Sequence, residues 1–271
     1  MIYNVPLALL SSYSDQDIVI RSSNCSALVE AVAQVEWERI NSVQLLSTSG
    51  RLAGLRHLPP SLRIDLCVTD VLAGSDRVIA WSRALDGHPV RVVVPVIAGF
   101  SKVVKAALRA GLRVKLEIDQ PDSSLVNELM DSLAFFIREP YVKEPVDLFY
   151  GVFRSFLTKQ VESLWRIQEE HPSSHRYVTD SGEVTLAKRL SNIACTSDVA
   201  TLLADHKLNL FGTKTECCTC RFFCRCEGYF KLPQAVFNCS EIKKFFKLVE
   251  DYAAELRKDL SELPDSSHAN R

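Results

Sequence analysis

The chain has 271 residues, of which 47% are hydrophobic and 24% charged, so it can fill the core of one large domain or of one domain with an appendage. Its formal net charge of −1 argues against a nucleic-acid-binding or membrane-binding surface. The N-terminal stretch lacks the basic start of a signal peptide, and no apolar run reaches the roughly 18 residues that suggest a membrane span, so we expect a cytoplasmic protein.

Strand-like and helix-like patterns alternate along the first half of the chain. They predict strands over 17–20, 42–46, 62–69, 90–96 and 112–118, and helices over 27–40, 75–85, 100–110 and 123–136. Such alternation is typical of βαβ units with a mainly parallel sheet. We therefore predict an α/β fold with a full or partial β/α barrel. An open, doubly wound sheet is the alternative, because periodicity does not separate the two.

The pattern changes after Val146. Apolar side chains then recur with helical spacing, which predicts one long helix over 146–170 that must end before Pro172. A polar loop over 171–176 follows, and a charged amphipathic helix is predicted over 241–262. The predicted organisation is a β/α domain over 1–180, a small cysteine-rich domain over 181–262 and a disordered tail over 263–271.

Cysteines are concentrated near the C-terminus. Six of the nine lie within 23 residues: Cys217, Cys218, Cys220, Cys224, Cys226 and Cys239. In a reducing cytoplasm, such a cluster indicates metal ligands rather than disulfides. One subset has the spacing C-x2-C-x5-C-x12-C and comprises Cys217, Cys220, Cys226 and Cys239. Four thiolates suit either zinc or an iron–sulfur cluster, and the C-x-C pairs Cys218/Cys220 and Cys224/Cys226 offer an alternative, zinc-like set.

The order Gly212-x4-Cys217-x2-Cys220-x5-Cys226-x-Gly228 resembles the SPASM domain of radical SAM peptide maturases, which carries auxiliary [4Fe-4S] clusters. The resemblance covers roughly residues 190 to 245 and implies one [4Fe-4S] cluster on Cys217, Cys220, Cys226 and Cys239. Phe230 stands where the family has a further cysteine, which implies that a second cluster is lost. Cys195 lies about where a ligand of that second cluster begins, and we expect it to be a buried thiol.

The N-terminal half is similar to a radical SAM barrel but lacks its catalytic motifs. The family places a C-x3-C-x2-C loop after the first strand, whereas the corresponding loop here contains only Cys25. The stretch 47–52 replaces the family's Gly-Gly-Glu-Pro segment. One thiolate does not hold a cluster with an open iron, so we expect a degenerate barrel that generates no radical.

Three functional hypotheses follow. The first is an iron–sulfur accessory subunit that binds a radical SAM enzyme or another maturase, or a precursor peptide, and relays electrons without independent activity. The second is an interaction module stabilised by zinc. The third is a non-radical, metal-dependent peptide-modifying enzyme that uses strand-end carboxylates such as Asp70 and Asp119. The carboxylates of Asp65 and Glu117 lie on predicted strands and are further candidates for a cavity wall.

Overall fold

A computed structural model describes residues 1–46, 52–85, 87–158, 160–191 and 199–262. Eight strands among these residues form one sheet. They are β1 (Ile2–Pro6), β2 (Asp17–Ser22), β3 (Ile40–Leu45), β4 (Arg63–Cys67), β5 (Val90–Pro95), β6 (Arg113–Glu117), β7 (His175–Val178) and β8 (Val184–Thr185). The predicted tail over 263–271 and Cys195 lie outside the described residues.

The strand order is β6-β5-β4-β3-β2-β1-β7-β8. All pairs from β1 to β6 are parallel, β7 is parallel to β1, and β8 forms an antiparallel pair with β7. Right-handed crossovers between strands in sequential order place the connecting helices on one face. The predicted α/β fold with a mainly parallel sheet is confirmed.

The two faces of the sheet differ in chemistry. Side chains on the helix-covered face are apolar and join the main hydrophobic core; examples are Ile18, Ile20, Val43, Leu45, Ile64, Leu66, Val92, Val94, Val114 and Leu116. Alternate residues point to the other face, which is largely polar because it carries Arg21, Gln44, Asp65, Arg91 and Lys115. The polar face is therefore the one available to bind a ligand.

The sheet is curled rather than flat. Strands lie about 4.8 Å apart, so β6 and β7, with five strands between them, would be roughly 29 Å apart in a flat sheet. Yet Lys115 of β6 lies 2.7 Å from Glu169, and Lys115, Glu169 and His175 of β7 line one cavity. Within the described residues no strand pair joins β6 to β7 or β8, so the curled sheet is not closed.

The described helices are α1 (Cys25–Val32), α2 (Val71–Ala84), α3 (Phe100–Arg109), α4 (Ser123–Arg138), α5 (Asp147–Leu157), α6 (Leu164–Ile167), α7 (Leu202–Gly212), α8 (Phe223–Cys226) and α9 (Ser240–Glu262). Short 3-10 helices include Leu52–His57, Lys188–Leu190, Glu216–Thr219 and Tyr229–Lys231. In the parts of the chain that the structure describes, we find no helix with the length and apolar character needed to cross a bilayer.

The prediction of a single helix over 146–170 is wrong. Helix α5 ends at Leu157, and α6 begins only at Leu164. The hydroxyl of Thr158 donates to the Arg154 carbonyl at 3.1 Å and accepts from the Gln160 amide at 3.3 Å. Such local side-chain bonds compete with helix propagation, so the apolar stripe is shared between two helices.

The cysteine-rich part and the sheet share one apolar core. The same hydrophobic cluster contains Leu66 of the sheet, Phe149 of α5, Cys226 and Phe245 of α9. Strand β8 lies four residues beyond the predicted boundary at residue 180 and belongs to the sheet. The C-terminal residues thus share the core of the β/α part, with α9 packed on α4 and α5.

Candidate functional site

The four cysteines of the predicted ligand set line one small cavity, called here the thiol cavity, of about 20 Å³. Cys217, Cys226 and Cys239 are buried, and Cys220 is half-buried. Cys218 and Cys224 are exposed and do not line it. The fold therefore brings together residues that are 22 positions apart in sequence.

The turn after α8 directs backbone amides toward Cys226. Glu227 and Gly228 both have left-handed backbone conformations, with φ of 49° and 75°. The following chain turns back, so that backbone groups of Phe230, Tyr229 and Gly228 lie near the sulfur and lower the pKa of Cys226, although burial raises it more. A Cβ at position 228 would lie 2.4 Å from Leu210 Cδ1, so only glycine fits there. Amide hydrogen bonds to a ligand sulfur stabilise its ionised form.

Glu216 ties three parts of the cysteine-rich segment together. Its carboxylate accepts from Lys231 Nζ at 2.9 Å, from the Cys239 amide at 3.0 Å and from Lys243 Nζ. Burial alone would raise the pKa of this carboxyl, but hydrogen bonds from Lys243 and Lys231 lower it to about 2. Glu216 is therefore ionised at neutral pH and fixes Cys217 relative to Cys239.

Aromatic and aliphatic side chains form the remaining wall of the thiol cavity. Phe222 stacks on Phe246 of α9 with ring centroids 5.4 Å apart, and Phe223 and Ile242 also line the cavity. Arg225 donates to the Ser155 carbonyl of α5 at 3.0 Å and holds this wall against the core. An apolar surround limits access of water to a bound metal centre and influences its potential.

The thiols of Cys217, Cys226 and Cys239 are neutral when no metal competes for them. Burial raises the pKa of Cys226 to about 12, and burial together with Glu216 raises that of Cys239 to about 12. Burial also raises the pKa of Cys217. The donor set consists of soft sulfur atoms with an apolar wall, which suits zinc or an iron–sulfur cluster and does not suit magnesium or calcium. Metal binding here must displace protons from the thiols.

The present arrangement of the thiols is matched to neither centre in detail. Zinc bound by four sulfurs at about 2.3 Å needs them roughly 3.8 Å apart, and among the described residues no three Cys, His, Asp or Glu are grouped to hold a metal ion. A volume of about 20 Å³ is room for little more than one water-sized group. Either centre therefore requires the cysteine side chains to rotate.

The cysteine-rich segment docks on the sheet through Tyr229 and Trp165. Their rings lie 4.9 Å apart, and the Trp165 indole donates to the Glu227 carbonyl at 3.2 Å. The Tyr229 hydroxyl donates to the Ile118 carbonyl, just beyond β6, at 3.0 Å. Arg189 lies 4.1 Å from the centre of the Tyr229 ring and binds Glu170 at 2.9 Å. These residues join the cysteine-rich segment to the end of β6 and to Glu170.

The positions where the family has ligands of its second auxiliary cluster and of its catalytic cluster are occupied here by ordinarily packed side chains. Phe230 is buried, and its ring lies 5.3 Å from Tyr229 and 6.2 Å from Phe237. Cys25 begins α1, and its Sγ lies 3.8 Å from where a Cβ on Gly54 would be. Residues 47–51 of the expected Gly-Gly-Glu-Pro position lie outside the described part of the chain.

The concave face of the sheet encloses a second and larger space, called here the sheet cavity, of about 340 Å³. It extends from the segment Gln168–Glu170 to Leu46, Thr69 and Pro95 at the C-terminal ends of the strands. Asp65 and Glu117, which the sequence placed on strands, both line it. Ligand sites in parallel sheets and barrels lie at this end of the strands.

Arg91 is the centre of an ion-pair network at the floor of the sheet cavity. It is 2% exposed and donates two bonds to Asp65 at 2.9 and 2.7 Å. It also bonds to Asp147 at 3.0 Å and twice to Glu169 at 2.8 and 3.0 Å. Burial opposes the charge of Arg91, but Asp65 and Glu169 outweigh it and raise its pKa further. A buried arginine paired this fully is structural rather than free for catalysis.

The two strand-end carboxylates proposed as acid–base candidates lie away from both cavities. Asp70 caps α2 by accepting from the amides of Leu72 and Ala73 at 3.0 and 3.3 Å. Asp119 is exposed and pairs with Arg189 at 3.4 Å. Neither lines the sheet cavity, which leaves the enzyme hypothesis without a catalytic group at these positions.

Sequence reasoning missed Glu169 and Lys188 on the wall of the sheet cavity. Glu169 lay inside the wrongly predicted helix, and its φ of 60° is a left-handed conformation that a sequence pattern does not reveal. Lys188 follows β8, which is only two residues long. The acidic pair 169–170 next to Pro172 was the one available signal.

Compared with known proteins, the chain matches no family model, no curated protein and no solved structure.

Proposed function

We propose that this protein is an accessory subunit whose Cys217, Cys220, Cys226 and Cys239 bind one [4Fe-4S] cluster, and that it serves a radical SAM enzyme or another peptide maturase. The observation that supports this most is the convergence of these four thiols, and of neither Cys218 nor Cys224, on one apolar cavity. When bound, such a cluster supplies one-electron transfer.

The curled sheet supports the accessory role. We interpret it as a partial β/α barrel, because its sequential parallel strands surround a cavity. The loop after β2, where the family binds its catalytic cluster, offers only Cys25. On this proposal the chain makes no radical by itself and acts by binding a partner enzyme or a precursor peptide.

A second candidate is an interaction module held together by zinc. The small volume of the thiol cavity, about 20 Å³, favours one ion over a centre of eight atoms. In this case the metal only stabilises the packing of the cysteine-rich segment on α5 and α9, and substitution of a ligand unfolds that segment.

Metal analysis of the full chain, purified and reconstituted without oxygen, separates the two candidates. We expect about four irons and four sulfides per chain, as a thiolate-bound cubane requires. Stoichiometric zinc without iron would contradict the cluster and support the module. With S-adenosylmethionine and a strong reductant, the reconstituted chain alone should give no reductive cleavage.

The matched variants are Cys226→Ala in the cavity and Cys218→Ala outside it. Cys226→Ala should lower the bound metal at least fivefold, because one of four ligands is lost, whereas Cys218→Ala should retain it. Equal metal loss in both variants would refute the assigned ligand set.

A further inference from the structure

The sheet cavity has the properties of a small-molecule site that is separate from the thiols. Its volume of about 340 Å³ lies at the lower end of the roughly 300–1,000 Å³ typical of ligand pockets. It runs along the concave face from Ile2 and His175 to the C-terminal ends of the parallel strands, where ligands bind in such folds. Part of its wall is apolar, with contributions from Ile2, Val19, Val93 and Leu186.

Most charged groups on this wall are already neutralised by the protein. Asp65 and Glu169 bind Arg91, and Glu169 also binds Lys115 at 2.7 Å. Glu170 binds Arg189 and Arg21 binds Asp180. Arg176 has no ion pair within the described residues, but its guanidinium donates to the carbonyls of Pro172 and His175. These groups have little reason to recognise a charged ligand.

Two wall residues differ from the rest. Within the described residues Glu117 and Lys188 have neither an ion pair nor a side-chain hydrogen bond, and both line the cavity. Glu117 is half-buried at the end of β6, and Lys188 is exposed at the start of its 3-10 helix. Their charges are opposite, yet they do not pair with each other.

The two charges flank the same space. Burial raises the pKa of the Tyr177 hydroxyl; Arg21 and Lys188 lower it, and Asp180 and Glu117 raise it. Burial raises the pKa of the Cys67 thiol, Glu117 and Asp65 raise it further, and Lys188 lowers it. Glu117 and Lys188 thus both lie near Tyr177 and Cys67, which line the same cavity.

We propose that the sheet cavity binds a small zwitterion that carries an ammonium and a carboxylate, that is, an amino acid or a very short peptide. The ammonium binds Glu117, and the carboxylate binds Lys188. The ligand's side chain packs on the apolar part of the wall. A ligand of one sign, such as inorganic phosphate or a diamine, would satisfy one of the two residues and meet like charge at the other.

Binding is tested on the full chain by saturation-transfer NMR and calorimetry, first with the twenty free amino acids and then with a set of dipeptides. We expect at least one to bind. Its N-acetyl derivative and its amide, which each lose one charge, should bind at least tenfold more weakly. Preference for the free amino acid or for a dipeptide identifies the source of the zwitterion.

The variants Glu117→Gln and Lys188→Gln should each weaken binding at least tenfold. Glu30→Gln and Lys102→Gln are exposed controls of the same chemistry and should have no effect. The proposal would be overturned if none of the amino acids and dipeptides bound. It would also be overturned if the blocked derivatives bound as tightly as the free compound, or if both cavity variants bound like the wild type. The derivative comparison uses the wild-type chain, so it holds even if a variant fails to fold. Because metal content is measured separately, failure of the cluster proposal leaves this test intact.

Discussion

The two cavities of this molecule differ in the chemistry of the residues that line them. The thiol cavity is lined by four thiols that form no disulfide and by apolar side chains, with the ion-paired Glu216 and Lys243 beside them. The sheet cavity is lined by charges, most of which satisfy one another through Arg91 and Arg189. Clustered thiols that form no disulfide indicate a bound metal, whereas charges that are paired with one another stabilise the fold. That contrast makes the first cavity a metal-site candidate and most of the second cavity a scaffold.

The largest effect is expected when the ion-pair network at Arg91 is broken. Arg91→Met removes the buried partner that Asp65, Asp147 and Glu169 share. It leaves these carboxylates with the more exposed Arg63, Arg113 and Lys115. We expect a loss of about 3–5 kcal/mol in the free energy of unfolding, measured with urea. Arg113→Gln is the control, because Arg113 is 46% exposed and pairs with Asp147 alone. A variant at position 91 as stable as the control would show that the network does not hold the floor of the sheet cavity.

A smaller effect is expected in the turn that shapes the thiol cavity. In Gly228→Ala the new Cβ meets Leu210 and His206, and the left-handed conformation at φ of 75° is strained for alanine. We expect a loss of about 2–3 kcal/mol in the free energy of unfolding, together with weaker metal retention, because the amides that face Cys226 are displaced. The measurements are urea unfolding and metal content.

The matched control for that turn is Gly212→Ala at the end of α7. Nothing lies within 4 Å of a Cβ there, and the backbone needs no positive φ. This substitution should leave stability unchanged or slightly increased. If both glycine variants retained metal equally, the backbone turn would have no role at the sulfur.

Much of the fold was accessible from periodicity. The strands β2 to β6 and the helices α3, α4 and α9 lie within a few residues of their predicted bounds, because their apolar residues repeat with a clear period. Strand β7, with the sequence His-Arg-Tyr-Val, has no alternation, and β8 has only two residues. β7 forms because the edge of β1 offers hydrogen-bonding groups, and β8 forms on the edge of β7, which are tertiary effects.

The residues of the candidate sites also divide into those that the sequence predicted and those that it did not. Cysteine spacing alone left a second ligand set with Cys218 and Cys224 open, and the resemblance selected Cys217, Cys220, Cys226 and Cys239, which line one cavity. Glu216 binds residues 231, 239 and 243, and Arg91 binds residues 65, 147 and 169. Neither set has a local pattern, because their members meet only when the chain folds.

The smallest expected effect is a difference in the pH dependence of stability between variants of two neighbouring carboxylates, Glu169 and Glu170. Burial would raise the pKa of Glu169, but Lys115 and Arg91 outweigh it, and the pKa lies well below the usual range. Burial raises the pKa of Glu170, and Arg189 opposes this only in part. A lowered pKa contributes stability above the unfolded value near 4.5, and this contribution is lost as the pH falls through the folded value. A raised pKa contributes stability at low pH, which is lost as the pH rises.

Unfolding free energies between pH 3 and pH 7 check these signs in Glu169→Gln and Glu170→Gln. The wild type and Glu170→Gln should lose stability below about pH 4.5. Glu169→Gln should lose less stability there, by about 1 kcal/mol for each pH unit, because it lacks the ionised carboxylate. At pH 7 Glu170→Gln should be as stable as the wild type or more so, because it removes a charge that burial disfavours. An equal acid dependence in all three chains would mean that Glu169 is not held by Arg91 and Lys115. The floor of the sheet cavity would then be less fixed than the thiol cavity beside it.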